Sequence, residues 1–405
     1  MKASFDAVIV GAGPAGSTAS ILLAKAGWRV ALVEKQPFPR RKVCGECLGA
    51  TNLPLLQSLG VGEAFARAAG PELLQVALLQ GNRSVVADLP PAGEGPGRWG
   101  RALGRETLDT MLLEQAKLSG VQVMQPWSLQ AFKGGAGNWQ CEVSDKTSPT
   151  TLTLHSAVAI DAHGSWEALP SERTHPFCSG ADLLAFKANF TGASLKTGLL
   201  PLLSFAGGYG GMVVADQGVM TLACCVRRDQ LAALRRASPG ANAGDTVELM
   251  LRQACVGVRV ALETASRVGP WLAAGPLQPG IRLRPDDQLF RIGNAAAEAH
   301  PVIGEGMSMA FQSAWLLCEH LKTSKDRASL ADRAWQHSIG QAYATDWHRQ
   351  FGPRLRLAAA FAHLAMRPAL ASPVMSLIRF WPGLVSLGAN WGGKTSFPTL
   401  TRRSS

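Results

Sequence analysis

The stretch from Phe5 to Lys35 constrains this chain more than any other. An apolar run, FDAVIV, breaks into the loop GAGPAG and continues as the small-residue segment STASILLAKAG. A second apolar run, RVALVE, ends on Glu34. This reads as strand, turn, helix and strand, with the G-x-G-x-x-G spacing in the turn and an acid about twenty residues on. Gly11 permits the tight turn, Gly13 lets the backbone approach a pyrophosphate, and Gly16 lets the helix pack on the strand. Pro14 and Ala15 open the helix, whose first N–H groups and positive dipole end favour an anion. Glu34 is placed to accept the hydroxyls of a ribose. The unit predicts an ADP-containing dinucleotide.

At 405 residues the chain is long enough for two or three domains. Met1-Lys2-Ala3 runs directly into the first strand, leaving no room for a signal peptide, and no apolar run reaches bilayer-spanning length. Both point to the cytoplasm. Eight cysteines at irregular spacing then read as thiols, and no second ligand pair accompanies them, so no metal site is expected. The net charge of +11 is uneven, because no acid follows Asp346 while eight Arg and Lys residues do. No nucleic-acid recognition motif accompanies that charge. An anionic membrane surface or a phosphate-bearing ligand fits it better.

After Glu34 comes KQPFPRRKVCGECLGATNLPLLQSLGV, which Pro37 and Pro39 keep from being helical. Lys35 opens this loop, and Arg40, Arg41 and Lys42 are placed to face phosphates. The pattern FPR-x-K-x-C-G-E-x-L resembles the FAD-dependent oxidoreductases that include geranylgeranyl reductases, flavin halogenases and aromatic-ring hydroxylases. It is closest to the geranylgeranyl reductase branch. The resemblance implies that Cys44 and Gly45 lie near the flavin ring. Cys44 and Cys47 remain open to three readings: structural thiols, a functional Cys44 beside the flavin, or a redox disulfide.

Further matches extend the resemblance. GRETLD carries the R-x-x-L-D spacing, which implies that Arg105 contacts the flavin nucleotide, with Arg101 as the alternative. In DDQLFRIGNAAAEAHPVIGEGM the turn at Gly293 and Asn294 corresponds to the family's G-D, with Asn in place of Asp. Pro301 would lie beside the isoalloxazine, and the loop Gly304, Glu305, Gly306, Met307 would present N–H groups to it. His300, next to Pro301, reads either as a group titrating near neutrality or as a packed loop histidine. With Cys44 it is a candidate catalytic residue. GGYGGMVVA lacks the tryptophans and proline that mark halogenases, which argues against halogenation.

The implied fold is α/β: a Rossmann-type FAD-binding domain interleaved with an α+β substrate domain carrying an antiparallel sheet, plus a C-terminal helical segment. The first domain takes residues 1–72, 101–165 and 281–325, the second 73–100 and 166–280, and a helical cap 326–405. The cap is greasy and basic, which predicts either packing over a substrate cavity or contact with a membrane surface. The expected function is an FAD-dependent oxidoreductase acting on a lipophilic small molecule, with NAD(P)H as transient donor. Reduction of an apolar alkene, hydroxylation of a phenol or quinone precursor, and a non-redox cyclisation are the three chemistries left open.

Overall fold

The structure is a computed structural model that describes residues 4–93, 97–165, 179–237, 239–324 and 326–381, with 383–384, 388, 397–398 and 400 beyond them. Two seven-stranded sheets organise it. In the first, the parallel strands run in the order Gln122–Met124, Val30–Val33, Ser4–Val10, Thr151–Asp161 and Phe290–Arg291. Trp127–Gly135 and Asn138–Asp145 add an antiparallel meander to the long strand Thr151–Asp161. This is the predicted α/β class.

Alternation along the first strand explains its place. Ala7 and Ile9 face the helices Pro14–Lys25, Arg105–Leu118 and Gly306–Leu321, whereas Val8 between them packs with Trp139, Cys141 and Val143 on the other face. The first helix lies close because its glycine has no side chain: a Cβ at Gly16 would sit 1.8 Å from the Gly11 carbonyl oxygen. Gly11 itself has φ +103°, a conformation L side chains rarely adopt. Register pairs Val10 with Asp161 and Val10 with Val33, so the three strands end together. Their carboxyl ends open a crevice at the point where strand order reverses.

The second sheet runs in the order Ser266–Ala274, Leu183–Thr191, Val219–Arg227, Gly208–Ala215, Leu199–Phe205, Gln75–Gln80 and Arg83–Asp88. The excursion at residues 73–100 thus supplies two of its strands, and Asp216–Gly218 forms the tight turn expected between its two central strands. One face packs against the helices Arg228–Ala237 and Ala243–Ala254 through Leu203, Met212, Leu222 and Val247. Leu202, Tyr209, Val213 and Cys225 alternate onto the other face. Two strands escape the sequence pattern. Ser266–Ala274 contains Gly269 and Pro270, tolerated because it is an edge strand paired through a register shift at Lys187/Asn189. Leu199–Phe205 is almost continuously apolar, so it shows no alternation to read. The long helix Arg333–Ala365 then crosses the molecule, and its end closes over Leu183, Tyr209 and Cys225 with Ala362, Phe361 and Met366.

Candidate functional site

One cavity of about 290 Å³ runs from the glycine loop to the bare face of the second sheet. Its walls bring together Gly11, Gly13, Pro14, Ala15, Glu34, Lys42, Cys44, Gly45, Arg105, Gly293, Asn294, Pro301, Gly304, Gly306 and Met307. Two helices start on it, Pro14–Lys25 and Gly306–Leu321, and neither has a side chain capping its first turn. Uncapped N–H groups at both places give the cavity two anion-favouring poles. An elongated, phosphate-bearing dinucleotide fits that arrangement.

Five expected residues lie off the walls, the candidate catalytic His300 and four expected to hold the cofactor. Gly16 serves helix packing. Lys35 does not reach the cavity. Arg41 turns away, its guanidinium 3.5 Å from the Pro270 carbonyl and 3.9 Å from Glu106, because the neighbouring edge strand offers it partners. Arg40 is the loop arginine that lines the cavity, 3.7 Å from Glu34 and 3.6 Å from Asp109. Glu305 is buried, 3.9 Å from Arg354 of the long helix, so it braces the loop from behind.

Glu34 accepts hydrogen bonds from the backbone N–H of Ala12 (2.9 Å) and Gln36 (2.8 Å). It therefore fixes the glycine turn as well as facing the cavity, and each carboxylate oxygen keeps a further lone pair for a ribose. Arg105 donates two hydrogen bonds to Asp109, at 2.7 and 2.6 Å, and also meets the Cys44 thiol. Burial works to lower its pKa, but the Asp109 carboxylate more than offsets this, so the guanidinium is held charged. Arg101 instead donates to the carbonyls of Ala66, Ala69 and Gly70, capping the helix Gly62–Ala68. Of these two candidates, Arg105 is the one that lines the cavity. Cys44 and Cys47 are both free thiols, and only Cys44 has its sulfur beside that guanidinium.

Sequence reasoning missed the polar junction behind the loop. Glu46, at φ 60°, is buried and accepts from the Arg105 N–H (3.0 Å), the Lys187 ammonium and the Thr221 hydroxyl. Lys187 and Thr221 stand on adjacent strands of the second sheet, so one carboxylate pins the cofactor loop to the substrate wall. The lone Lys in LLAFKANF, on the inward alternation with Ala185, was the available signal.

At the far end, the Tyr209 hydroxyl lies 3.2 Å from His300 Nδ1 and also meets the Cys225 thiol. Burial, then the neighbouring His363, lower the His300 pKa from 6.5 to about 4. The expectation that His300 titrates near neutrality is therefore corrected: the ring is neutral there. Its contribution to stability is lost as the pH falls from 6.5 towards 4, where folding must keep a proton off it. Asn294 hydrogen-bonds Ser165 and lines the cavity where the first and third segments meet.

Comparison with known proteins gives the same cofactor. Residues 4–190 match the FAD binding domain family. The menaquinone reductase of Mycobacterium tuberculosis is 34% identical over 121 residues, 30% of this chain and 29% of that protein. A myxobacterial chondrochloren halogenase superposes with a TM-score of 0.77 at 19% identity, covering 96% of this chain and 91% of that one. A geranylgeranyl bacteriochlorophyll reductase-like protein from Thermoplasma acidophilum gives 0.66 at 14% identity, covering 96% and 100%. By fold the chain superposes more closely on that halogenase than on that reductase-like protein. The chain thus carries an FAD binding domain over residues 4–190 and, over nearly its whole length, the fold shared by that halogenase and that reductase-like protein.

Proposed function

We propose that the protein reduces a lipophilic small molecule of the alkene or isoprenoid type, drawing electrons from NAD(P)H through FAD. The observation that carries this reading is the continuity of the cavity, from phosphate-binding poles to an apolar wall of Leu200, Leu202, Val213, Leu277 and Val302. The likeness to a menaquinone reductase over the 121 aligned residues supports it. Bound FAD supplies two-electron chemistry. The chain's part is to bind, orient and keep the site dry. The start of Gly306–Leu321 would favour negative charge on a bound flavin, and the apolar wall would keep water from the site.

Monooxygenation of a phenolic substrate is the second reading, favoured by Tyr209 in the cavity wall, whose hydroxyl lies 3.2 Å from His300 behind it. Oxygen uptake separates the two. Reduction predicts substrate turnover with NADH or NADPH under nitrogen, without oxygen consumption in air beyond the substrate-free rate. Oxygen consumed mole for mole with substrate would replace the first reading by the second.

The proposal includes peripheral contact with an anionic bilayer. Helix Pro368–Phe380 buries Ala371, Met375 and Ile378 against the protein and turns a second apolar stripe outward. Leu370, Leu377, Phe380 and Trp381 are 52%, 45%, 79% and 66% exposed, flanked by exposed Arg367 and Arg379. No helix among the described residues is long and apolar enough to cross a membrane. Co-sedimentation is expected with phosphatidylglycerol vesicles and not with phosphatidylcholine. Phe380→Ser with Trp381→Ser should weaken it about tenfold or more, since each ring contributes roughly 1.5–3 kcal/mol when buried.

A further inference from the structure

The short strand Ala297–Glu298 pairs with Gly280–Ile281 and carries a carboxylate to the wall of the cavity. Glu298 is 3% exposed. Its Oε2 accepts from the Gln278 N–H (3.3 Å) and from Arg282 (3.2 Å), whereas Oε1 has no hydrogen-bond partner among the described residues. The walls around it include Tyr209, Cys225, Leu277 and Val302. Its charge is felt by both polar neighbours. Burial chiefly raises the Tyr209 pKa, with Cys225 and Glu298 adding to it. The Cys225 thiol is pushed up to about 12 by burial, lowered by its bond to Tyr209 and raised by Glu298.

We propose that Glu298 is the polar anchor of the substrate end of the cavity, accepting a hydrogen bond from a hydroxyl or amino group on an otherwise apolar ligand. This rests on the reading of the cavity as a site for a lipophilic molecule. A buried carboxylate oxygen without a partner is costly, and a ligand donor removes that cost. Tyr209 does not compete for the role, because its hydroxyl is engaged with His300 and Cys225. An ionised carboxylate only accepts, so the anchor selects by chemistry. Phenols, alcohols and amines satisfy it. A ligand bearing a carboxylate at the same position meets like charge and is rejected.

The test uses the FAD-loaded protein and three ligands of one shape: 2-naphthol, 2-methylnaphthalene and 2-naphthoate, titrated by perturbation of the flavin spectrum. The naphthol should bind about tenfold or more tightly than either of the others. Glu298→Leu should erase the preference of naphthol over methylnaphthalene. Glu298→Gln, which keeps the shape and loses the charge, should admit naphthoate and carries the test if the leucine variant fails to retain FAD. Equal binding of naphthol and methylnaphthalene by the unmodified protein overturns the anchor alone. So does a full preference surviving in both variants. Failure of all three ligands to bind overturns the cavity reading on which the anchor rests.

Discussion

Replacing Lys187 by methionine is expected to lower the free energy of unfolding by about 3–5 kcal/mol. Lys187 is 2% exposed and Glu46 is 1% exposed, and they form an ion pair inside the protein. Removing the ammonium strands a carboxylate that, among the described residues, retains only the Arg105 N–H and the Thr221 hydroxyl. Neutralising that carboxylate as well should return most of the loss. The double variant Lys187→Met, Glu46→Gln therefore unfolds closer to the original protein than the single variant does. Urea midpoints at constant m-value read this directly. Equal midpoints for the single and double variants would mean that Glu46 is not the group left in distress. Because Glu46 ties the loop Lys42–Glu46 to two strands of the second sheet, FAD affinity should fall with stability in the single variant.

This junction also shows where the sequence is silent. GAGPAG, Glu34 and Arg105 were legible because each requirement is local: a turn, an uncapped helix start, a spacing of four to Asp109. Lys187 and Glu46 are 141 positions apart, and nothing local at either reports the other. Arg40 and Arg41 are adjacent and chemically identical, so only the position of the edge strand Ser266–Ala274 decides which one faces the cavity. His300 fails as a neutral-pH acid for a similar reason. Its depressed pKa comes from burial and from His363, both set by the long helix closing over the second sheet. Glu298 reads as one polar residue in an alanine-rich turn until its neighbours are in place. Local geometry could be read; long-range pairing could not.

Gly16→Ala and Gly13→Ala should separate folding from cofactor binding. At Gly16 an added Cβ would lie 1.8 Å from the Gly11 oxygen and 3.1 Å from the Ala162 side chain. The first contact is with backbone, so it cannot be relieved by a rotamer. Helix Pro14–Lys25 must move off the sheet, and overpacking of this kind costs about 1–3 kcal/mol or more. The cofactor-free protein should be destabilised and purify with little FAD. Gly13 differs. Its φ of −72° suits alanine, and the nearest atom to an added Cβ is an Arg105 nitrogen at 3.7 Å, an ordinary contact. The cofactor-free Gly13→Ala protein should unfold at the same midpoint as the original. Yet its methyl occupies the space through which backbone N–H groups approach a pyrophosphate, so FAD affinity should drop about tenfold or more. Thermal unfolding without FAD, and FAD titration by flavin fluorescence quenching, measure the two effects independently. Undiminished FAD affinity in Gly13→Ala would place the pyrophosphate away from this loop. The helix start at Gly306 would then be the remaining anion pole of the cavity.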